Sequence, residues 1–284
     1  PEGLGKGAAK KNDIALIVSE TPATVAGMFT TNQVCAAPVK LSEPRASKDV
    51  AQAIVVNSGN ANACTGDRGM KDAQAMTKQV GKSLNIPDED VLVCSTGRIG
   101  MVLPMAKVKA GISECVGSLN ATAKSANETA VAIMTSDKTA KEVAVEFELG
   151  GKTVRIGGIT KGAGMIEPGM SPNGQRPASI SLHATMLCFI TSDAAIAPKP
   201  LKAALEEAVA QSFNRITVDG DMSTNDSVIA LANGLAGNRK ITGSRSADAQ
   251  TFQAALNHVC LELAKMMVRD GEGASRFITI RLNG

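Results

Sequence analysis

The stretch Val143-Ala-Val-Glu-Phe-Glu-Leu-Gly-Gly-Lys-Thr-Val-Arg-Ile156 carries the most regular strand pattern in the chain. Apolar side chains occupy every second position from Val143 to Leu149, the pair Gly150-Gly151 follows, and the alternation resumes from Val154 to Ile156. Alternation with a period of two predicts strands that bury one face, and two glycines between such strands predict a tight turn. The pattern therefore predicts a β-hairpin whose second strand runs into a Gly-rich loop that begins at Lys161.

Beyond this loop, a second strand-like run begins at a junction of small and polar residues. The run Met186-Leu-Cys-Phe-Ile190 predicts a short buried strand, and it directly follows His183-Ala184-Thr185. A threonine at a loop-to-strand boundary, behind a small alanine, can attack the preceding carbonyl carbon and cut its own chain. Cleavage between Ala184 and Thr185 would make Thr185 a new amino terminus.

An amino-terminal threonine has useful chemistry. Its α-amino group has an ordinary pKa of about 7.7–8.0, so it can act as a base near neutral pH beside the hydroxyl that it must deprotonate. The β-branch also limits the side-chain rotamers. The alternative interpretation is that Thr185 only opens a strand, because β-branched residues suit strands. Residue types alone favour this alternative, so the rest of the chain must decide.

The composition of the chain argues against several classes of function. The chain has 284 residues, enough for one large domain or two, with 44% hydrophobic and 20% charged residues. Aromatic residues are only 2%, net charge is +3, and the basic residues form no stripe, so we predict no nucleic-acid binding. No run approaches the ~20 apolar residues of a membrane helix. The six cysteines include no CxxC pair and the two histidines no cluster, so we predict no metal site.

The amino-terminal half alternates between strand and helix patterns. Two short strands, Asp13–Ser19 and Ala26–Thr30, are predicted to form a hairpin. A strand at Ala53–Val56 leads into a turn-rich segment, and helical spacing covers Asp72–Leu84. The strand Val91–Cys94 then delivers Ser95-Thr-Gly-Arg-Ile-Gly100. Such a turn exposes backbone N–H groups that can stabilise an oxyanion, although most turns of this composition are only structural.

The carboxyl-terminal half contains two amphipathic helices, predicted at Pro200–Phe213 and Ala249–Val268. The acidic segment Asp219–Asp226 does not match a calcium-binding loop, so we interpret it as a hydrogen-bonded turn. The alternation in Arg276–Leu282 predicts a last strand.

Six segments, taken together, resemble the ornithine acetyltransferase family in their order and strand contexts. They are Asn57-Ser-Gly-Asn-Ala-Asn-Ala-Cys-Thr-Gly66, Ser95-Thr-Gly-Arg-Ile-Gly100, Lys161-Gly-Ala-Gly-Met-Ile166, Ala184-Thr-Met-Leu187, Val218-Asp-Gly-Asp-Met-Ser-Thr-Asn-Asp226 and Asp270-Gly-Glu-Gly273. The resemblance spans nearly the whole chain, and six motifs in register are far more specific than one.

The resemblance implies an arginine-biosynthesis enzyme, also called glutamate N-acetyltransferase, that moves an acetyl group from N-acetylornithine to glutamate. Some members also use acetyl-CoA as a substrate, and no cofactor is implied. It implies an α/β (α+β) fold, a layered sandwich of β-sheets flanked by helices with a self-cleaving, N-terminal-nucleophile-like architecture. The α chain would be residues 1–184 and the β chain residues 185–284, assembling as a heterotetramer. The compartment would be the cytoplasm in a bacterium, and the mitochondrial matrix or plastid in a eukaryote.

The same matching assigns residue roles. Thr185 is the nucleophile that carries the acetyl group, and cleavage falls between Ala184 and Thr185. The oxyanion hole is formed by Thr96 and Gly97, and the substrate is bound by Lys161, Thr185 and Glu272.

The chain departs from the family pattern at three places. Residues 171–183 intervene between Met170 and the Ala-Thr pair, where members usually have none, and Lys138 replaces a threonine that contacts substrate in many members. Members also continue past Gly284, so we expect the β chain to be truncated. Two alternatives stay open: an aminopeptidase or amidase with water as the acyl acceptor, and a non-catalytic homologue that binds an amino acid or a partner.

Overall fold

A computed structural model describes residues 12–173 and 186–281. Seven strands in these ranges form one mixed sheet in the order β3-β2-β1-β7-β6-β5-β4. The strands are β1 (Ile14–Phe29), β2 (Val50–Asn60), β3 (Val91–Arg98), β4 (Lys141–Leu149), β5 (Lys152–Lys161), β6 (Leu187–Ser192) and β7 (Ser227–Ala232). The helices are α1 (Ala37–Ala46), α2 (Gly66–Leu84), α3 (Met105–Gly117), α4 (Ala123–Ala132), α5 (Pro198–Gln211) and α6 (Ala247–Arg269).

The predicted hairpin is confirmed as β4 and β5, which pair in antiparallel fashion from Lys141 opposite Thr160 to Leu149 opposite Lys152. The strand β6 pairs with β5 on one side and runs parallel to β7 on the other. The strand predicted after the junction is therefore an interior strand, and its residues Leu187–Ile190 are buried. Burial on both faces explains why it is an unbroken apolar run rather than an alternating one.

Three apolar clusters bury the two faces of the sheet. Along β7, Val228 and Ala230 join the cluster beneath α5 and α6, whereas Ile229 points to the opposite face. A second cluster lies beneath α2 and α3, and it includes Val55 of β2. The third cluster combines Ile229 with Ile54, the neighbour of Val55 in β2, and with α1. Two pairs of helices thus cover one face of the sheet, and the third cluster lies on the other face.

The sheet is strongly curved. Five inter-strand steps separate β3 from β5 in the sheet order, so a flat sheet would hold these strands about 24 Å apart. Nevertheless, Lys161 Nζ at the end of β5 donates a hydrogen bond to Thr96 Oγ1 in β3 at 3.2 Å. The two halves of the sheet therefore face each other across the third cluster. This curvature produces the layered α/β sandwich that was expected.

The division proposed at Ala184/Thr185 lies outside the described residues, but its two sides are closely joined. Strands β6 and β7, which follow the division, lie between β1 and β5, which precede it. Helices α5 and α6 also follow the division and pack against β1, β4 and β5. Within residues 12–173 and 186–281, neither side of the division has a sheet of its own.

The predicted amino-terminal hairpin is wrong, because Ile14–Phe29 form the single strand β1. The register shifts between Val18 and Ala23, and the chain continues in the same direction through this irregularity. The first half of β1 pairs with β2 and the second half pairs with β7 on its other side. A reversal at Glu20-Thr-Pro-Ala23 would remove the strand that joins β2 to β7.

The predicted strand at Arg276–Leu282 is also wrong as far as the structure describes it, because residues 276–281 pair with no described strand. The side chains of Ile278 and Ile280 are 73% and 82% exposed. Alternation defines a strand only where a neighbouring strand completes the hydrogen bonds. The helix predicted at Ala249–Val268 is confirmed as α6 (Ala247–Arg269), which ends just before Asp270-Gly-Glu-Gly273.

Among the described residues, none of the helices has both the length and the apolar character needed to cross a membrane. These residues also contain no group of three or more His, Cys, Asp or Glu side chains placed to hold a metal ion.

Candidate active site

The residues predicted for the oxyanion hole lie at the carboxyl end of β3. Thr96 is buried, and Gly97 has a φ of +129° opposite Gly59 of the parallel strand β2. A Cβ atom at position 97 would lie 2.3 Å from the carbonyl carbon of Gly59. Only glycine satisfies both the backbone angle and this close approach. The turn motif therefore has a steric requirement at Gly97.

Lys161 brings the end of β5 to the same place. Its ammonium group donates to Thr96 Oγ1 at 3.2 Å and to Thr135 Oγ1 at 2.8 Å, and the residue is 2% exposed. The structure thus joins two residues, Thr96 and Lys161, that lie 65 positions apart in the chain. Lys161 also pairs with Leu187 in the sheet, two residues after Thr185.

Asp137 organises the start of the Lys161 loop. Its Oδ1 accepts hydrogen bonds from the Gly162 N–H and from Lys141 Nζ, both at 2.7 Å. Its Oδ2 accepts from the Thr135 N–H at 3.0 Å and lies 4.0 Å from Lys161 Nζ. Burial alone would raise the pKa of Asp137, but the two lysine charges and the hydrogen bonds outweigh it and hold this pKa below its ordinary value. Asp137 is therefore a buried carboxylate that holds a loop and a cation together.

Glu272 lies against the same loop. Its backbone N–H donates to the carbonyl oxygen of Ala163 at 2.6 Å. Its carboxylate packs over Gly164, where a Cβ atom would be 2.7 Å from Oε2. Gly164 is therefore needed for close approach. The predicted substrate-binding residues Lys161 and Glu272 converge on one loop, with Lys161 buried and Glu272 exposed.

Asp270 fixes the turn that carries Glu272. Its Oδ2 accepts from Lys141 Nζ at 2.6 Å and from the Lys138 N–H at 3.0 Å. Lys138, the departure from the family pattern, is exposed and supplies this backbone N–H. Since Lys141 also binds Asp137, one buried ammonium group connects the end of α6 to the loop that holds Lys161.

Asp226 fixes the backbone just before β6, the strand that follows the predicted cleavage point. The Met186 N–H donates to Asp226 Oδ1, and the Ser227 N–H donates to the Met186 carbonyl oxygen. Asp226 is fully buried, and burial raises its pKa well above the ordinary value; the backbone N–H of Met186 and the charge of Lys161 oppose this effect only partly. The site of Lys161 and the start of β6 are therefore electrostatically connected.

Asn225 joins three strand ends. Its side-chain Nδ2 donates to the carbonyl oxygen of Ala61 at 2.7 Å and to that of Ser95 at 2.9 Å. The segment before β7 is thereby fixed to the end of β2 and to the residue before Thr96. The hydrogen-bonded turn predicted for Asp219–Asp226 is confirmed, because Asp219 also accepts from the Ile166 N–H at 2.8 Å.

The sequence did not single out Asp137, Lys141 or Asn225 as site residues. No sequence pattern pointed to Asp137 or Lys141, and Asn225 and Asp226 were predicted only as members of a polar turn. Their signal was a polar residue at the edge of an apolar run, which is common in any turn. The predicted cleavage residues Ala184 and Thr185 lie outside the described residues.

Together, the curved sheet and the polar groups at its strand ends define a layered α/β protein in which the Lys161 ammonium group contacts the Thr96-Gly97 turn. A family model for the ArgJ family matches residues 3–284. The chain belongs to the ArgJ family.

Named relatives agree with this membership. An arginine biosynthesis bifunctional protein ArgJ from Symbiobacterium thermophilum is 48% identical over 280 residues, which are 99% of this chain and 65% of that protein. A glutamate N-acetyltransferase from Methanocaldococcus jannaschii is 49% identical over 276 residues, which are 96% of this chain and 64% of that protein. The chain thus spans a little under two thirds of the length of these relatives.

A solved structure is similar as well. The ornithine acetyltransferase from Mycobacterium tuberculosis, in complex with ornithine, is 36% identical, with a TM-score of 0.51. The match covers 56% of this chain and 84% of that chain.

Proposed function

We propose that this chain is the catalytic part of an acetyltransferase that moves an acetyl group from N-acetylornithine to glutamate. The observation that carries the proposal is the hydrogen bond from Lys161 to Thr96, which brings the end of β3 and the Lys161 loop together. In the sheet, Lys161 lies opposite Leu187, which follows Thr185 by two positions in the sequence. Family membership supports the same activity.

In the proposed reaction, Thr185 Oγ1 first attacks the Ala184 carbonyl carbon, and the peptide C–N bond breaks as an ester forms. Water then hydrolyses this ester, which leaves a carboxylate on Ala184 and a free α-amino group and hydroxyl on Thr185. The α-amino group of Thr185 then takes the hydroxyl proton while Thr185 Oγ1 attacks the acetyl carbonyl carbon. The tetrahedral intermediate collapses, the C–N bond breaks, and the departing ornithine amine receives the proton. Acetyl-Thr185 remains as an ester. The amine of glutamate attacks this ester in a second, reverse sequence, which regenerates Thr185.

Thr96 and Gly97 suit the proposed oxyanion hole. Because Thr96 Oγ1 accepts a hydrogen bond from Lys161 Nζ, its own hydroxyl hydrogen can point to another oxygen. A donor that is fixed before the reaction stabilises a developing oxyanion without reorganisation. Lys161 therefore supports the oxyanion donor in addition to its proposed substrate contact.

The charges at the site suit an amino-acid substrate. An ornithine-like molecule carries both a carboxylate and an amine, and the site offers the buried ammonium of Lys161 and the exposed carboxylate of Glu272. The two groups lie on either end of the loop from Lys161 to Gly164. This arrangement favours a zwitterion over a simple amide, so we infer that transfer to glutamate exceeds hydrolysis.

Assembly, compartment and further substrates extend the proposal. The α and β chains of one precursor would remain together, because their strands interleave in one sheet, and they would pair as a heterotetramer. Acetyl-CoA would be a second acetyl donor, and no cofactor is required. We propose a cytoplasmic location in a bacterium, and the mitochondrial matrix or plastid in a eukaryote.

Intact-mass measurement followed by an acetyl-transfer assay tests the proposal. We expect two fragments separated at Ala184/Thr185, and transfer of label from N-acetylornithine to glutamate. Thr185→Ala should abolish cleavage and transfer, whereas Thr191→Ala in the exposed part of β6 should change neither.

Three results would contradict it. Transfer by Thr185→Ala would exclude the nucleophile. Release of acetate without acetylglutamate would favour the amidase alternative, and an intact 29.2 kDa wild-type chain without activity would favour a non-catalytic binding protein.

A further inference from the structure

Two backbone carbonyl groups flank the Thr96-Gly97 turn, and both belong to one ring of hydrogen bonds. The Ser95 carbonyl oxygen, just before the turn, accepts from Asn225 Nδ2 at 2.9 Å. The Arg98 carbonyl oxygen, just after the turn, accepts from the Ala61 N–H at 2.9 Å. The carbonyl oxygen of Ala61 accepts from the same Asn225 Nδ2 at 2.7 Å. The ring therefore runs from Ser95 through the turn to Arg98, across to Ala61, and back through Asn225.

The amide of Asn225 matches this position chemically. Its nitrogen carries two hydrogens, one for each of the carbonyl oxygens of Ser95 and Ala61. Its Oδ1 accepts from the Thr224 hydroxyl, so the partners on both sides allow one orientation of the amide. Asn225 is 1% exposed, and a carboxylate in its place would put an oxygen atom against two buried carbonyl oxygens. The ring therefore requires a side chain with two donor hydrogens.

The bond from Asn225 to Ser95 also orients the turn. A trans peptide is planar, so the direction of the Ser95 carbonyl group sets the direction of the Thr96 N–H, which points the opposite way. The side chain of Thr96 is held separately, because its Oγ1 accepts from Lys161 Nζ at 3.2 Å. Thr96 is thus fixed at its backbone by Asn225 and at its side chain by Lys161.

We propose that Asn225 is a positioning residue for the Thr96-Gly97 turn, which it holds in the conformation that presents hydrogen-bond donors to a developing oxyanion. The inference rests on the proposed function, because that proposal assigns the oxyanion hole to this turn. Donors that are fixed before the reaction stabilise developing charge without reorganisation. Asn225 acts here only through Ser95 and Ala61, so its loss should affect kcat more than KM.

Asn225→Asp is the test variant, since it keeps the size of the side chain and replaces the two donor hydrogens by an oxygen atom. Asn238→Asp is the matched control. Asn238 is 6% exposed, and its Nδ2 also donates to two backbone carbonyl oxygens, those of Ala195 at 3.2 Å and Arg239 at 2.9 Å. Ala195 follows the end of β6 that is opposite to the end paired with Lys161, so the control lies away from the turn.

Amide hydrogen exchange, read by mass spectrometry, reports on the turn without requiring cleavage or acetyl transfer. The N–H groups of Ala61 and Gly100 are suitable probes, because they donate to the carbonyl oxygens of Arg98 and Ala63 at 2.9 Å. We expect exchange in peptides that contain these probes to be about tenfold faster or more in the test variant than in wild type. The control should keep the wild-type rates at both probes.

Steady-state kinetics, counted per cleaved chain, provide the second measurement. For Asn225→Asp we expect kcat for acetyl transfer to fall about tenfold or more, with KM for N-acetylornithine within about threefold of wild type. Asn238→Asp should keep kcat within about twofold of wild type. A residue with only a structural role would not produce this separation of kcat from KM at one position and spare the other.

Four results would overturn or redirect these assignments. Exchange at the two probes that is no faster in folded Asn225→Asp than in the control overturns the inference, and so does faster exchange with unchanged kcat. If Asn225→Asp does not fold, Asn225→Ser replaces it with the same expectations. Failure of both variants to fold while the control folds also overturns the inference, because Asn225 would then support the whole fold. A wild type that transfers no acetyl group contradicts only the proposed function, and the exchange rates still decide whether Asn225 holds the turn.

Discussion

Lys141 and Asp137 form a buried ion pair in which Nζ lies 2.7 Å from Oδ1 and both side chains are at most 1% exposed. The same ammonium group lies 2.6 Å from Asp270 Oδ2. One lysine therefore binds two carboxylates, of which one holds the Lys161 loop and the other holds the turn of Glu272. The ammonium of Lys161 joins the same network at its edge, 4.0 Å from Asp137 Oδ2, whereas the Glu272 side chain is held through the backbone of its turn.

Lys141→Met is expected to destabilise the protein by about 3–5 kcal/mol, because two buried carboxylates lose their shared cation. Urea unfolding monitored by circular dichroism measures the change. Arg155→Met is the matched control, since its 2.6 Å pair with Glu146 is 65% and 58% exposed and should contribute at most about 1 kcal/mol. Equal losses in the two variants would show that burial of the network is not what stabilises it.

Asp137→Asn should change how stability depends on pH. The folded-state pKa of Asp137 lies below its unfolded value of about 3.9, so its contribution is present above that value and is lost as pH falls through the folded pKa. The difference in unfolding free energy between wild type and variant should therefore be largest near pH 6 and shrink below about pH 4. A difference that stays constant from pH 6 to pH 3 would mean that the charge of Asp137 does not contribute.

Gly97→Ala should damage both the fold and the reaction. The new Cβ atom would lie 2.3 Å from the Gly59 carbonyl carbon at a φ of +129°, which strains β3 by at least about 1–3 kcal/mol. Displacement of an oxyanion donor should lower kcat about 10²–10³-fold. Gly151→Ala is the control, because it has a positive φ in the β4–β5 turn and no atom within 4 Å of the new Cβ. It should lose stability but retain kcat.

Gly164→Ala should separate binding from chemistry. The added methyl group would displace the Glu272 carboxylate, which is 2.7 Å from the ideal Cβ position. We expect KM for N-acetylornithine to rise about tenfold or more with kcat changed much less, since a contact made in both ground and transition states affects binding alone. Gly243→Ala, where nothing lies within 4 Å, controls for loss of backbone freedom. An unchanged KM would remove Glu272 from the substrate site.

Residues with strong local patterns were predictable. The β4–β5 hairpin and the α2, α5 and α6 helices follow from apolar spacing, and their predicted positions agree with the structure to within a few residues except at the start of α2. The β1 strand was not predictable, because Glu20-Thr-Pro-Ala23 resembles a turn. Its continuation depends on β2 and β7, which are distant in sequence.

The motifs around Thr96, Lys161 and Glu272 can be recognised in the sequence because each is a short run that contains glycine. The contact between these motifs cannot be predicted from the sequence. It depends on a sheet curvature that accumulates over five inter-strand steps and leaves no local pattern. The burial of Lys141 and Asp226 was equally unpredictable from the sequence. A charged residue in a sequence is usually exposed, and only the packing around it removes water and makes its partner obligatory. The sequence by itself predicted which groups carry the proposed chemistry, and the tertiary structure decided which groups hold Thr96, Lys161 and Glu272 in place.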